Sequence, residues 1–365
     1  LLMGLSGQYP KELSESFLKW NLDLVAISTI SDVVPLISEN RVLAKFGLRE
    51  LLKTKNIGIK SLIEKAEIDN SKITSYDVGY KIGPRINAPG SIDHATKSLI
   101  ILTTNDKKEA DELSSELSRT NSARQNQMKK LETEAIEWID KNVTDKEKII
   151  IVAGDWNKGI IGPSASSLVW RYSKPVIVLT KEGDNYVGSA RTFGKIDILK
   201  IISGASKFIE KFGGHVGAAG LTIKKSNFQK FKSEILKIAD SKILDEDLEK
   251  KFDADAEILL SDITDDFYKS VLKMEPFGMG NEKPLFYARG VELTLPKIIG
   301  NGRNHYSCTV KSENISFRAV YFGFSEKEKE IMKAKRADIL FYINENRWRD
   351  RITLEINIVD MDIYE

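Results

Sequence analysis

One cysteine, three histidines and nine prolines are all that 365 residues contain of those types. The single thiol, Cys308, excludes an internal disulfide and suits a reducing cytoplasm, the expected location. So few prolines, with 24 glycines, exclude a Pro/Gly-rich low-complexity chain. No apolar run reaches the roughly 18 residues that a membrane-spanning helix needs, and the first residues lack the basic-then-apolar pattern of a secretion signal. No membrane association is expected. Neither charge dominates: 55 basic and 53 acidic side chains leave a net +2, so affinity for nucleic acid has to come from local arrangement. His94, His215 and His305 are never neighbours, and the acid pairs Asp253/Asp255 and Asp360/Asp362 are expected to be solvated. The sequence therefore assembles no full metal site. It opens Leu-Leu-Met without an initiator methionine, and a fragment is expected.

An apolar fraction of 41% with 30% charged residues is that of an ordinary folded protein. The length exceeds what one core supports, so two or three domains are expected. Asn21–Ile30 is a near-continuous apolar run of strand length and reads as a buried parallel strand with Asp32 at its C-terminal end, where ligand sites of α/β sheets lie. Helical patterns follow over Arg41–Leu52 and Ile57–Ala66. From Asp106 to Lys141 there is neither proline nor glycine, and Leu113, Leu117, Met128, Leu131, Ala135 and Trp138 recur at helical spacing. At about 1.5 Å per residue this predicts a helix roughly 50 Å long, a strut between domains. A compact α/β alternation comes next, with strands at Ile149–Ala153, Pro175–Thr180 and Tyr186–Arg191. A helix opens at Gly162-Pro163-Ser164, another runs to about Lys211, and a third spans Phe228–Ile243. Beyond Leu285, short alternating strands with one helix, EKEKEIMKAKR, predict a small β-barrel of the OB type. The fold class is α/β with a C-terminal barrel.

The stretch FGGHVGAAG, Phe212 to Gly220, puts four glycines around His215. Glycine lets backbone approach a bulky anion, and positive φ at Gly213 and Gly214 would aim successive N–H groups at one. A tight turn with a buried histidine is the plainer alternative. Ser189 and Arg191, two apart on a strand, present a hydroxyl and a guanidinium fork on one face, a match for phosphate oxygens; an ordinary strand end with an incidental arginine would look the same. Arg85 and Asn87 lie in a predicted loop, Pro84–Gly90, and could face a substrate backbone. Asn121, Arg124 and Gln125 lie on the long helix, where polar residues usually face water. In the tail, Arg303, His305, Tyr306, Arg318, Tyr321, Arg347, Trp348 and Arg349 interleave aromatic and basic groups, as single-strand-binding barrels do. Half of these aromatics could equally fill the barrel.

The segments STISDVVPLISENR, IGPRINAPG, RTNSARQ, GDWNKGIIGPSASSL, KPVIVLT, GSART, FGGHVGAAGL and EPFGMGNEKPLF, in this order, resemble RecJ, the single-strand-specific DNA exonucleases of the DHH phosphoesterase superfamily. The resemblance implies a DHH part over 1–104, a connecting helix over 105–145, a DHHA1 domain over 146–247 and an OB domain over 248–365. It implies 5′-to-3′ hydrolysis of single-stranded DNA with two ions, Mn²⁺ or Mg²⁺, in recombination and repair. Asp32 matches a metal-ligand aspartate. Ser189 and Arg191 would grip the terminal 5′ phosphate, with Gly213, Gly214 and His215 at the scissile phosphate. Arg85, Asn87, Asn121, Arg124, Gln125 and Trp156 would touch the strand, and Arg303, Tyr306, Arg318 and Trp348 would guide it. Asp32 and His215 would then face each other across a cleft. A single-strand-binding protein and a helicase would be partners of a monomer. The Asp-x-Asp and Asp-His-His motifs of the family are absent, so the chain is expected to be inactive. Asn157 replaces a frequent histidine, and Pro89 interrupts Asn-Ala-Ala-Gly. Two other outcomes keep the superfamily and change the role: a phosphodiesterase for oligoribonucleotides or cyclic dinucleotides, and a non-catalytic replication-fork scaffold.

Overall fold

In the computed structural model, which describes residues 7–9, 11, 14–69, 71–92, 95–300, 305–323, 330–348 and 351–364, the apolar run expected to be a strand is a helix. After a short first helix (α1, Glu15–Trp20), Leu22–Ser31 forms α2 and Ser38–Leu51 forms α3. An apolar run of this length fits either element when nothing alternates. Here Asp23, Ala26 and Ile27, at helical spacing, turn inward. Gly47 lets α3 lie directly on α2, since a Cβ there would sit 2.2 Å from the Leu22 carbonyl oxygen. Asp32 therefore stands at the C-cap of a helix, exposed, and not at the end of a strand.

Residues 52–251 form one compact unit, and residues 1–51 with 252–365 form another. The first begins with α4 (Ile57–Lys65), then a π-helical turn, Val78–Ile82, that feeds α5 (Gly83–Ile92). Pro84–Gly90 is thus helical and not a loop: Pro84 comes just after the π-helical turn and Pro89 lies inside the helix, so neither proline ends it. The next two helices are α6 (Thr96–Thr103) and α7 (Lys107–Asn142), the latter unbroken for 36 residues. Its first half buries Leu117 against Leu62 and Ile101, and its second half buries Leu131, Ala135 and Ile139 against the sheet that follows. Gly58 lets α4 meet α6: a Cβ there would lie 1.6 Å from the Ile101 carbonyl oxygen. Gly58→Ala is expected to destabilise the protein by about 1–3 kcal/mol, read as a lower thermal midpoint. An unchanged midpoint would mean that the two helices do not touch there.

The sheet of this unit contains β1 (Ile150–Gly154), β2 (Val176–Glu182), β3 (Asn185–Arg191), β4 (Lys211–His215) and β5 (Ala218–Lys224), in the order β1-β2-β3-β5-β4. Only β1 and β2 are parallel, joined by α8 (Ile161–Tyr172). One face packs α7 and α8 over Ile150, Val152, Val176 and Val178. The other packs α9 (Ile198–Ser203) and α10 (Phe228–Lys242) over Ile177, Leu179, Ala190, Leu221 and Ile223. The helix expected to reach Lys211 stops at Ser203, with Gly204 at its C-cap, and Lys211 already begins β4.

In the other unit, a short β6 (Ala256–Glu257) and α11 (Asp265–Leu272) lead into β7 (Phe286–Ile299), β8 (His305–Ser312), β9 (Ile315–Phe322), β10 (Arg336–Trp348) and β11 (Arg351–Tyr364). These last five strands close into a barrel, since β10 pairs with β11 and also back onto β7. Tyr306, Cys308, Val310, Ala319, Phe341 and Ile356 fill it. Of the helix expected at EKEKEIMKAKR, Glu330–Lys333 is a turn, and the segment before it lies outside the described residues.

Candidate nucleic-acid interface

Three neighbouring strands put the glycine-rich stretch and the Ser/Arg pair on one surface. Ser189 of β3 pairs with Gly220 of β5, which pairs with Gly213 of β4; one step along, Arg191 pairs with Ala218 and Ala218 with His215. Directly paired residues of antiparallel strands share a face. That face is therefore a shelf of glycine and alanine with Ser189 and Arg191 at one side and His215 at the other. All five residues of β4 are exposed, as is Gly220. A Cβ added at Gly213 would meet nothing within 4 Å. A depression of about 350 Å³ opens here, with Val187, Lys211, Gly213, Gly220 and Thr222 in its lining.

The expectation that both glycines turn N–H groups outward is corrected in part. Gly214 alone has a positive φ, +152°, and its Cβ position lies 2.3 Å from the Ala218 carbonyl oxygen. Gly213 is ordinary strand, and its service is the absence of a side chain. His215 accepts a hydrogen bond at Nδ1 from the Gly217 N–H, 3.3 Å. With Nδ1 accepting, the neutral ring carries its proton on Nε2 and presents it as a donor.

Arg191 is half-buried. Its Nη1 donates to Ser189 Oγ at 2.7 Å and to the Ala190 carbonyl at 2.8 Å, and burial pulls its guanidinium below the usual arginine range. No carboxylate pairs with it among the described residues. Its Nη2 lies 2.9 Å from where a Cβ on Gly162 would be, so the guanidinium rests against the first turn of α8. Among the described residues no side chain caps that helix, and buried Ser164 leaves its Oγ without a hydrogen-bond partner there. An uncapped helix start beside an unpaired, partly desolvated arginine is an anion site in its chemistry.

Tyr172 donates to Asp140 at 2.9 Å, and Glu132 of α7 hydrogen-bonds Ser167 of α8, burial pushing its carboxyl up. The two helices thus run side by side in one direction, which sets the start of α8 alongside the turn of α7 that follows Gln125. Arg124 Nη2 donates to buried Asn121 at 2.9 Å, and burial lowers its pKa as well. Arg85 is held by Ser118 Oγ at 3.2 Å and the Lys81 carbonyl at 2.8 Å, while Asn87 and Gln125 are exposed. Trp156 is engaged within the unit. Its Nε1 donates to Glu134 at 2.7 Å, its backbone N–H donates to Thr180 Oγ1, and its ring covers Gly154.

Asp32 belongs to the other unit. The loop after it sits on the loop of EPFGMGNEKPLF: the Leu36 N–H donates to the Met279 carbonyl at 2.6 Å, and Arg41 Nη2 to that of Met274 at 2.8 Å. A Cβ on Gly278 would lie 2.8 Å from Leu36 Cδ1. Supporting the Asp32 loop is a role that the motif's sequence does not disclose. Among the described residues no group of three or more His, Cys, Asp or Glu could hold a metal ion. One exposed carboxylate does not make a two-ion centre, so these residues do not fit one by themselves.

On the barrel, Tyr306 is corrected from a stacking surface to a core residue, with no exposure and its ring among Cys308, Val310 and Phe341. The alternation of β8 turns it inward. The opposite face carries His305 edge-on to Phe322, centroids 5.1 Å apart, with Phe322 55% exposed. Phe322 gives no signal in the sequence because no basic residue adjoins it. Arg318 shares that face and pairs with Glu355. Arg303 and Arg349, and the side chains of Arg347 and Trp348, lie outside the described residues. Charge segregation is the other missed signal. Residues 146–243 hold 17 of the 55 basic side chains but only 8 of the 53 acidic ones, so the remainder of the chain is net acidic.

A mixed sheet with a bare glycine shelf, in a chain that also closes a five-stranded barrel, is the architecture of a DHHA1 domain joined to an OB domain. The DHHA1 domain family matches residues 146–241, and the RecJ OB domain family matches residues 254–360. The chain belongs to the RecJ family. The single-stranded-DNA-specific exonuclease RecJ of Bacillus subtilis is 32% identical over 367 residues, which cover 100% of this chain and 46% of that protein. The protein of that name from Haemophilus influenzae is 29% identical, with 92% and 60% covered. The crystal structure of RecJ with Mn²⁺ from Thermus thermophilus shares the fold, with a TM-score of 0.82 at 24% identity over 95% of this chain and 50% of that one. The Mg²⁺ complex gives 0.81. The chain spans about half the length of the curated relatives it matches.

Proposed function

We propose that this chain provides the strand-binding surfaces of a 5′-to-3′ exonuclease for single-stranded DNA, working in recombination and repair in the cytoplasm. One observation carries the reading: Arg191, partly desolvated, unpaired with any described carboxylate and set against an uncapped helix start. A terminal 5′ phosphate would complete its fork together with Ser189. The next sugar-phosphate would cross the glycine shelf, and His215 would donate from Nε2 to the oxygen of the phosphate being cut, stabilising its charge. Arg85, Asn87, Arg124 and Gln125 would flank the entry, with buried Asn121 holding Arg124 in place, and the barrel would hold the trailing strand on His305, Phe322 and Arg318. A barrel of this kind favours a long strand over a dinucleotide substrate.

The division at 104, 145 and 247, a monomeric state, and contacts with a single-strand-binding protein and a helicase belong to the same proposal. Divalent ions, Mn²⁺ or Mg²⁺, would supply an activated water when held by a full carboxylate set. Among the described residues no metal-binding group accompanies Asp32, so this chain is expected to bind and not to cut. With Mn²⁺ and an end-labelled oligodeoxynucleotide, the purified chain should retain the strand at full length. Shortened products would contradict the account of the metal ligands, and absence of binding would contradict the account of the shelf.

A further inference from the structure

On the barrel, an anion of the chain itself already occupies the strand-facing arginine. Strands β9 and β11 run parallel with Ala319 opposite Ile356, which sets Arg318 beside Glu355. Arg318 Nη1 lies 2.8 Å from Glu355 Oε2, and the two side chains are 54% and 17% exposed. Asn346 Nδ2 donates to the same oxygen at 3.2 Å. The carboxylate is therefore anchored low on the barrel wall while the guanidinium stands in solvent. Exposed ion pairs add little to stability, so the fold does not depend on this one. A carboxylate oxygen on a guanidinium fork occupies the position that a phosphate oxygen would take. Arg318 lies on the face that carries Phe322 and His305, four residues along β9 from Phe322, or about 13 Å.

We propose that Glu355 is a built-in competitor for the strand: its carboxylate holds the place of a backbone phosphate at Arg318 and limits the affinity of the barrel face for single-stranded nucleic acid. The inference rests on the single-strand reading given above. Releasing the strand is as necessary to a processing enzyme as holding it, and an internal anion that reoccupies Arg318 favours release.

The test is fluorescence anisotropy of a labelled oligodeoxythymidine with the full chain at physiological salt. Glu355→Gln keeps the shape and the acceptor for Asn346 while removing the charge. It is expected to tighten binding by about threefold to tenfold, chiefly through slower dissociation. In an Arg318→Gln background the same change should have less than about a twofold effect, because the fork it competes for is gone. An unchanged or weakened affinity in Glu355→Gln, with an unchanged thermal midpoint, would overturn the proposal. So would a full gain that persists without Arg318, which would reveal bulk charge alone. Arg191→Ala is measured alongside. If it responds while Glu355→Gln does not, only the competitor role fails; if the unaltered chain binds no strand, both readings fall.

Discussion

Replacing Arg191 with alanine is expected to weaken binding of a 5′-phosphorylated single strand by about tenfold to a hundredfold, and of the 5′-hydroxyl strand by less than about threefold. The asymmetry follows from the site. The guanidinium is fixed by Ser189 Oγ and the Ala190 carbonyl, so its remaining donors are preorganised, and no described carboxylate competes for them. A dianionic terminal phosphate gains most from such a fork, and an internal phosphodiester less. Arg191→Lys should fall between the two, because it keeps the charge and loses the bidentate geometry. Competition binding with matched phosphorylated and unphosphorylated oligonucleotides measures this. Equal losses on both would remove the terminal-phosphate role and leave a general cation.

Gly213→Val separates folding from function on the shelf. Its added side chain meets open space, and β-branched residues suit a strand, so the thermal midpoint should hold or rise slightly. Strand binding should nevertheless fall by more than about tenfold, since the isopropyl group stands where the sugar-phosphate backbone would lie. Gly214→Val should behave in the opposite way. A φ of +152° and a Cβ position 2.3 Å from the Ala218 carbonyl oxygen leave no room, and the protein should lose stability by about 1–3 kcal/mol or more. Calorimetry with anisotropy on the two variants decides the matter. Normal binding by a folded Gly213→Val protein would mean that the strand avoids the shelf.

Where local chemistry and tertiary structure agree, the fold was legible. The 36-residue helix follows from a stretch without proline or glycine, and the strands β1 to β3 from short apolar runs between turn residues. The barrel follows from alternation with a period of two. The run at Asn21–Ile30 misleads because nothing in it alternates, and the deciding residue, Gly47, lies on another helix. Pro84–Gly90 misleads because its prolines signal a loop, whereas Pro84 follows a π-helical turn and Pro89 is carried inside the helix. That Ser189 and Arg191 share one face of a strand was legible from their spacing; that β5 and β4 lay the glycine stretch beside them was not, because it depends on strand pairing. That α8 brings an uncapped helix start to Arg191 was not, because it depends on how a helix crosses a sheet. Composition leaves the direction of Tyr306 open, and the alternation of β8 settles it inward.

On the proposed reading, a strand's 5′ end and backbone lie on the shelf between Arg191 and His215. Backbone amide spectra of the isotope-labelled chain, titrated with a short 5′-phosphorylated oligodeoxynucleotide, test it directly. The largest shifts are expected at Gly162, Ser189, Arg191, Gly213, His215 and Gly220, with the amides of α10 on the opposite face of the sheet unmoved. Shifts confined to α10, or to the barrel with the shelf unmoved, would contradict it.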